Sequence, residues 1–89
     1  MRFGGQYRAK IYDENGRYLE SNGIGEEEGT FLYGKTLRNF PWQSLSINEV
    51  IKTISKIVEF DKKFVRLFVI YQDSSEEEIY RSPGIEKYI

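Results

Sequence analysis

Eighty-nine residues with a formal net charge of −1, 39% of them hydrophobic, 30% charged and 16% aromatic, describe one soluble folded domain spanning 1–89. The chain contains neither cysteine nor histidine. That excludes disulfides, thiolate zinc sites, cysteine nucleophiles and every Ser-His or Cys-His catalytic pair.

The first residues, "MRFGGQYRAK", lack the apolar core of a secretion signal. No apolar run approaches the ~20 residues of a membrane helix. A cytoplasmic protein with no membrane association is expected.

"KIYDENGRYLE", residues 10–20, reads as a β-hairpin around Asn15-Gly16. A two-residue loop would pair Ile11 with Glu20 and Tyr12 with Leu19, mixing apolar and charged residues. A three-residue loop, with Asp13 opening a type I turn and Gly16 in the left-handed position, pairs Ile11 with Leu19, Lys10 with Glu20 and Tyr12 with Tyr18. Each of these is a favourable cross-strand pair, so the three-residue loop is expected. It places Tyr7, Ala9, Ile11, Leu19 and Ser21 on the core face of the strands. Arg8, Lys10, Tyr12, Tyr18 and Glu20 fall on the other.

Residues 21–29 are a loop by composition and carry the acidic triplet Glu26–Glu28. Residues 30–37 predict a third strand, with Gly34 marking a bulge. A connection follows, in which Pro41 argues against helix at Phe40. Ser46 and Glu49 then fit a capping box, with Leu45 and Val50 as its hydrophobic staple. Apolar residues at Ile47, Val50, Ile51, Ile54, Ile57 and Val58 form one helical stripe ending near Phe60.

Residues 64–72 predict a strand that is apolar on both sides and therefore central in its sheet. Val65, Leu67, Val69 and Tyr71 share one side, and Phe64, Phe68 and Ile70 the other. "DSSEE" predicts a turn, "EIYRS" a short last strand, and Pro83-Gly84 its end. Charge is uneven here: Lys62, Lys63 and Arg66 outweigh Asp61, whereas Asp73, Glu76, Glu77 and Glu78 outweigh Arg81.

The expected fold class is α+β, in the order β-β-β-α-β-β: one antiparallel-rich sheet with a single helix packed on one face. The helix is assigned to the Val65, Leu67, Val69 and Tyr71 side, together with Ile11 and Leu19. The opposite side then shows Arg8, Lys10, Tyr12, Tyr18, Arg66, Phe68 and Ile70, more aromatic and apolar surface than a small monomer usually leaves in water. These seven are the candidate binding surface.

Tyrosine and arginine on a flat sheet are enriched at protein interfaces, and the same types stack bases of single-stranded nucleic acid. A third reading leaves Tyr12 and Tyr18 as an ordinary pair, with the tail "GIEKYI" folded over Phe68. Phe68-Val69-Ile70-Tyr71 resembles the second half of the strand signature of the RNA recognition motif. Phe64, Val65, Arg66 and Leu67 depart from its first half, and the element order lacks that fold's second helix, so the match is one of chance.

"GIGEEEG" fails as a phosphate loop because its glutamates repel phosphate and no helix follows directly. The triplets Glu26–Glu28 and Glu76–Glu78 are expected in or beside loops, facing solvent, where they would steer a basic partner. No carboxylate sits in an apolar run that would raise its pKa, and calcium-loop spacing is absent. The expectation is a non-enzymatic protein without cofactor or metal, acting by binding another protein as an inhibitor, adaptor or regulator. A second copy of the chain is one candidate partner, and a phage or mobile-element origin one analogy with other small stand-alone domains. Single-stranded nucleic acid is the alternative ligand, with Glu20 interrupting the basic face.

Overall fold

Alternation in the N-terminal third makes the first two strands. In the computed structural model, which describes residues 6–24, 31–32, 35–36 and 45–88, β1 (Tyr7–Tyr12) and β2 (Tyr18–Ile24) form an antiparallel hairpin. Its turn is the expected three-residue loop. The Gly16 amide donates to the Asp13 carbonyl and the Asp13 amide to the Arg17 carbonyl, both at 2.9 Å. Asp13 Oδ1 accepts the Asn15 and Arg17 amides at 2.9 and 2.8 Å, which holds its carboxyl below the ordinary range. Gly16 has φ +83°, a region a side chain disfavours.

Beyond the turn the register departs from expectation. Tyr12 faces Tyr18, but Ile11 faces Glu20 and Lys10 faces Ser21, because a bulge inserts Leu19 as an extra residue. A one-residue slip exchanges the two faces of a strand. Leu19, expected in the core, is 43% exposed, and Ser21 lies on the Lys10 face. Glu20 lies on the Ile11 side and does not interrupt the basic face. The slip sets Ile24 opposite Tyr7, where it is only 3% exposed. The strand thus exchanges Leu19 for β-branched Ile24 in the core.

The predicted third strand is two short ones, β3 (Phe31–Leu32) and β4 (Lys35–Thr36), paired antiparallel as a separate two-stranded sheet. Pairing of Leu32 with Lys35 doubles the segment back on itself, and Leu32 is fully buried. The expected bulge at Gly34, the connection through Pro41 and the Glu26–Glu28 loop lie outside the described residues.

The helix α1 spans Ile47–Phe60. Ser46 Oγ accepts the Glu49 amide at 3.2 Å, and Glu49 Oε1 accepts the Ser46 amide at 2.9 Å, which completes the capping box. Val50, Ile54 and Val58 have no exposed surface, and each such burial stabilises the fold by ~1.5–3 kcal/mol. The helix stops in a Schellman arrangement: the Lys63 amide donates to the Val58 carbonyl and the Lys62 amide to the Glu59 carbonyl, with Lys62 left-handed at φ 60°.

Strands β5 (Phe64–Ile70) and β6 (Glu76–Arg81) complete a four-stranded sheet in the order β2-β1-β5-β6, antiparallel at every contact, with β5 central as its composition predicts. The β5–β6 hairpin repeats the geometry of the first. Tyr71 and Ser75 flank it, and Ser74 takes the left-handed position at φ 71°. Tyr71 lies past the end of β5 and is 41% exposed, so it does not join Val65, Leu67 and Val69 in the buried core. A bulge at Ile79 shifts β6 so that Leu67 faces Tyr80 and Phe68 faces Glu78.

The architecture is α+β, β-β-β-α-β-β with its third segment folded as β3–β4, and among the described residues a single α-helix covers one face of the antiparallel sheet. Val65, Leu67, Val69, Ala9 and Ile11 pack beneath that helix.

Candidate functional site

Strand alternation places the other side chains of β1 and β5 away from the helix. Register then collects them: Arg8 faces Phe68, Lys10 faces Arg66, and Tyr12 faces both Phe64 and Tyr18. All seven residues of the candidate surface, Arg8, Lys10, Tyr12, Tyr18, Arg66, Phe68 and Ile70, therefore share the face of the sheet opposite the helix, the open face among the described residues.

They are not equally available. Tyr18 is 51% exposed, whereas Tyr12 is 8% exposed and acts as the floor of the face. The two rings meet edge to face with centroids 5.4 Å apart. Arg66 Nη1 donates to the Tyr12 hydroxyl at 3.4 Å. Phe68 is half-buried, with Lys10 Nζ 5.0 Å and the Arg66 guanidinium 5.2 Å from its ring centroid.

The acidic triplet Glu76–Glu78 is not a solvated loop. It opens β6, and its alternate members Glu76 and Glu78 lie opposite Ile70 and Phe68 on this same face. Glu78 receives Arg81 through Nε at 2.9 Å and Nη2 at 2.8 Å. It also receives Arg66 through Nε and Nη2, both at 3.2 Å. The Arg81 bonds and then the Arg66 bonds lower its carboxyl to about 2 against the cost of burial. Arg8 Nε lies 3.3 Å from Glu76 Oε1 as an ion pair without a directed hydrogen bond, and Arg8 Nη1 donates to Ser21 Oγ at 3.4 Å. Glu77 points to the helix side, opposite Val69, and accepts the Tyr71 hydroxyl.

Sequence reasoning missed these carboxylates as members of the face. The signal was present in "EEEIYR", where the first and third glutamates fall on one side of a strand. It was hidden because acidic triplets read as loop.

One end of the face is covered by the tail. A 3-10 turn (Ile85–Lys87) follows β6, and Ile85 has no exposed surface. The Tyr88 ring packs on Phe64 with centroids 5.8 Å apart, and its hydroxyl donates to the Glu14 carbonyl at 3.1 Å. The tail thus covers Phe64, not the Phe68 of the third reading.

Behind the sheet, Glu59 ties the end of α1 to β6. Its Oε2 accepts the Tyr80 hydroxyl at 2.7 Å and the hydroxyl of buried Ser82 at 2.9 Å, while Ser82 Oγ accepts the Val65 amide at 2.9 Å. Burial, then the bond to Glu59, pushes the Tyr80 phenol up to about 12. This cluster is a structural clamp, since every polar atom named has a partner.

Among the described residues no three acidic side chains converge as a metal site, and no helix is long and apolar enough to cross a membrane. Compared with known proteins, the chain matches no family model, no curated protein and no solved structure.

Proposed function

We propose that the chain is a small non-enzymatic binding protein, an inhibitor, adaptor or regulator of the cytoplasm, that docks a protein partner on the open face of its sheet. The observation that carries this reading is the convergence of Tyr18, Phe68, Ile70, Lys10, Arg8 and Arg66 on a face that the helix leaves uncovered. Aromatic side chains beside arginines that already carry carboxylate partners suit a partner that buries them, because less desolvated charge is left uncompensated.

The same pairing weighs against single-stranded nucleic acid. Glu76 and Glu78 pair with Arg8, Arg66 and Arg81 and so offset two of their three charges, and the Phe68 ring on which a base would stack already holds two cations. A backbone-tracking groove needs unneutralised positive charge.

The test places a photo-crosslinking amino acid at Tyr18, or at Lys52 on the exposed side of the helix, in the native host. A protein captured at Tyr18, lost when Ile70→Lys is added and not captured at Lys52, supports the reading. Light scattering distinguishes a second copy from another protein. Oligonucleotide binding with a steep salt dependence, in place of protein capture, would replace this reading with the nucleic-acid one.

A further inference from the structure

We propose that residues 85–88 form a displaceable strap over the Tyr12–Phe64 end of the open face, anchored at Ile85 and released at Tyr88. The proposal rests on reading that face as the docking surface, since the strap would then compete with a partner for one end of it.

The two ends of the strap are held very differently. Ile85 is fully buried, and its amide donates to the Ser82 carbonyl at 3.3 Å. Ser82 is itself clamped between β5 and Glu59. Tyr88 is 40% exposed and reaches across the molecule to the first hairpin. Its amide donates to the Ile85 carbonyl at 2.9 Å within the turn, and beyond the turn it is held by one neutral hydrogen bond to the Glu14 carbonyl, a tilted ring contact with Phe64 and packing on Gly16. The turn between is three residues of 3-10 helix, whose geometry is weak in isolation.

The Tyr88 seat is shaped for a ring. A Cβ built on Gly16 would fall 2.3 Å from Tyr88 Cγ, so the ring lies directly on the turn, where only a residue without a side chain leaves room. Lys87 sits over the outer side of the ring at 5.5 Å. Releasing Tyr88 would uncover Phe64 and Gly16 while the anchor and the core stay in place. The open face would then extend from Ile70 to the hairpin turn. This is an intramolecular competitor built from an aliphatic and an aromatic residue three positions apart.

The experiment uses the full chain and needs no partner. Relaxation-dispersion NMR should show exchange at Gly16, Phe64 and Tyr88 with one shared rate, while Ile85 and Val65 remain flat. Tyr88→Phe keeps the ring but loses the bond to Glu14, and should raise the open population roughly fivefold. Tyr88→Ala should leave the chain folded and raise the fluorescence of a bound anilinonaphthalene dye by about threefold or more through the uncovered Phe64. Absence of shared exchange, an unchanged open population in Tyr88→Phe, or loss of the fold in Tyr88→Ala would each make the segment a fixed wall and overturn the strap. A strap shown to open in a chain that captures no partner at Tyr18 would leave this inference standing and remove the docking reading instead.

Discussion

Glu78 is the carboxylate that joins Arg66 and Arg81 on the open face, and replacing it with glutamine isolates that link. Its folded pKa of about 2 lies below the ordinary 4.5. A carboxyl depressed in this way stabilises the fold fully above the unfolded pKa, and the contribution is lost as pH falls through 4.5 toward 2. At ~1.4 kcal/mol per unit of pKa the ceiling is ~3 kcal/mol. Solvent reduces it: the Glu78 side chain is 20% exposed, and its partners Arg66 and Arg81 are 24% and 39% exposed. A contribution of about 1–2 kcal/mol remains after that screening. Urea melts of wild type and Glu78→Gln should therefore differ by about that amount at pH 7. The gap should narrow as pH falls through 4.5 and almost close near pH 2. A gap that stays constant from pH 6 to pH 2.5, or no gap at pH 7, would refute the arginine-bridged carboxylate as the source of the shift.

Three other changes test the local geometry. Gly16→Ala should destabilise by ~1 kcal/mol or more, because the left-handed backbone is strained and the new methyl meets the Tyr88 ring; an unchanged urea midpoint would mean the turn is built otherwise. Ser74→Gly should stabilise by ~0.5–1 kcal/mol at the corresponding position of the second hairpin, read as a higher thermal midpoint, and a lower one would contradict the left-handed assignment. Leu19→Ser should change stability by less than ~0.5 kcal/mol if the bulge holds Leu19 at the surface, whereas a loss of ~2 kcal/mol would restore the unbulged register in which it is buried.

What was legible in the sequence was whatever rests on short-range chemistry. The capping box at Ser46 and Glu49, the stripe from Val50 to Val58, the Asp13–Gly16 turn and the two-sided apolar character of β5 each follow from neighbours a few residues apart. The open face was legible too, because alternation along β1 and β5 survives undisturbed. Failures came where one residue was added to a strand. Leu19 and Ile79 are bulges, and neither carries the glycine or proline that would announce one. At Leu19 the register was decided ~15 Å farther along the chain, by the burial of Ile24, which no turn rule can see. The Glu76 and Glu78 pairings were missed for a related reason: a strand rich in glutamate is improbable until Arg66 on the next strand and Arg8 on the strand beyond it pair with its carboxylates.

The two bulges also bear on how the sheet meets other chains. Leu19 lies in β2 and Ile79 in β6, the outermost strands of the sheet. An outermost strand offers unpaired backbone amides and carbonyls that invite lateral extension by a foreign strand. A bulge interrupts that ladder and increases the local twist, and the charges of Glu20 on one border and Glu77 and Arg81 on the other raise the cost of stacking further strands against them. The chain is thereby guarded at both borders against growing into a ribbon, and against the fibrillar misassembly that ribbon growth begins. On the docking reading proposed above, association that leaves the native fold intact would be directed broadside onto the sheet, where side chains rather than backbone decide what is accepted.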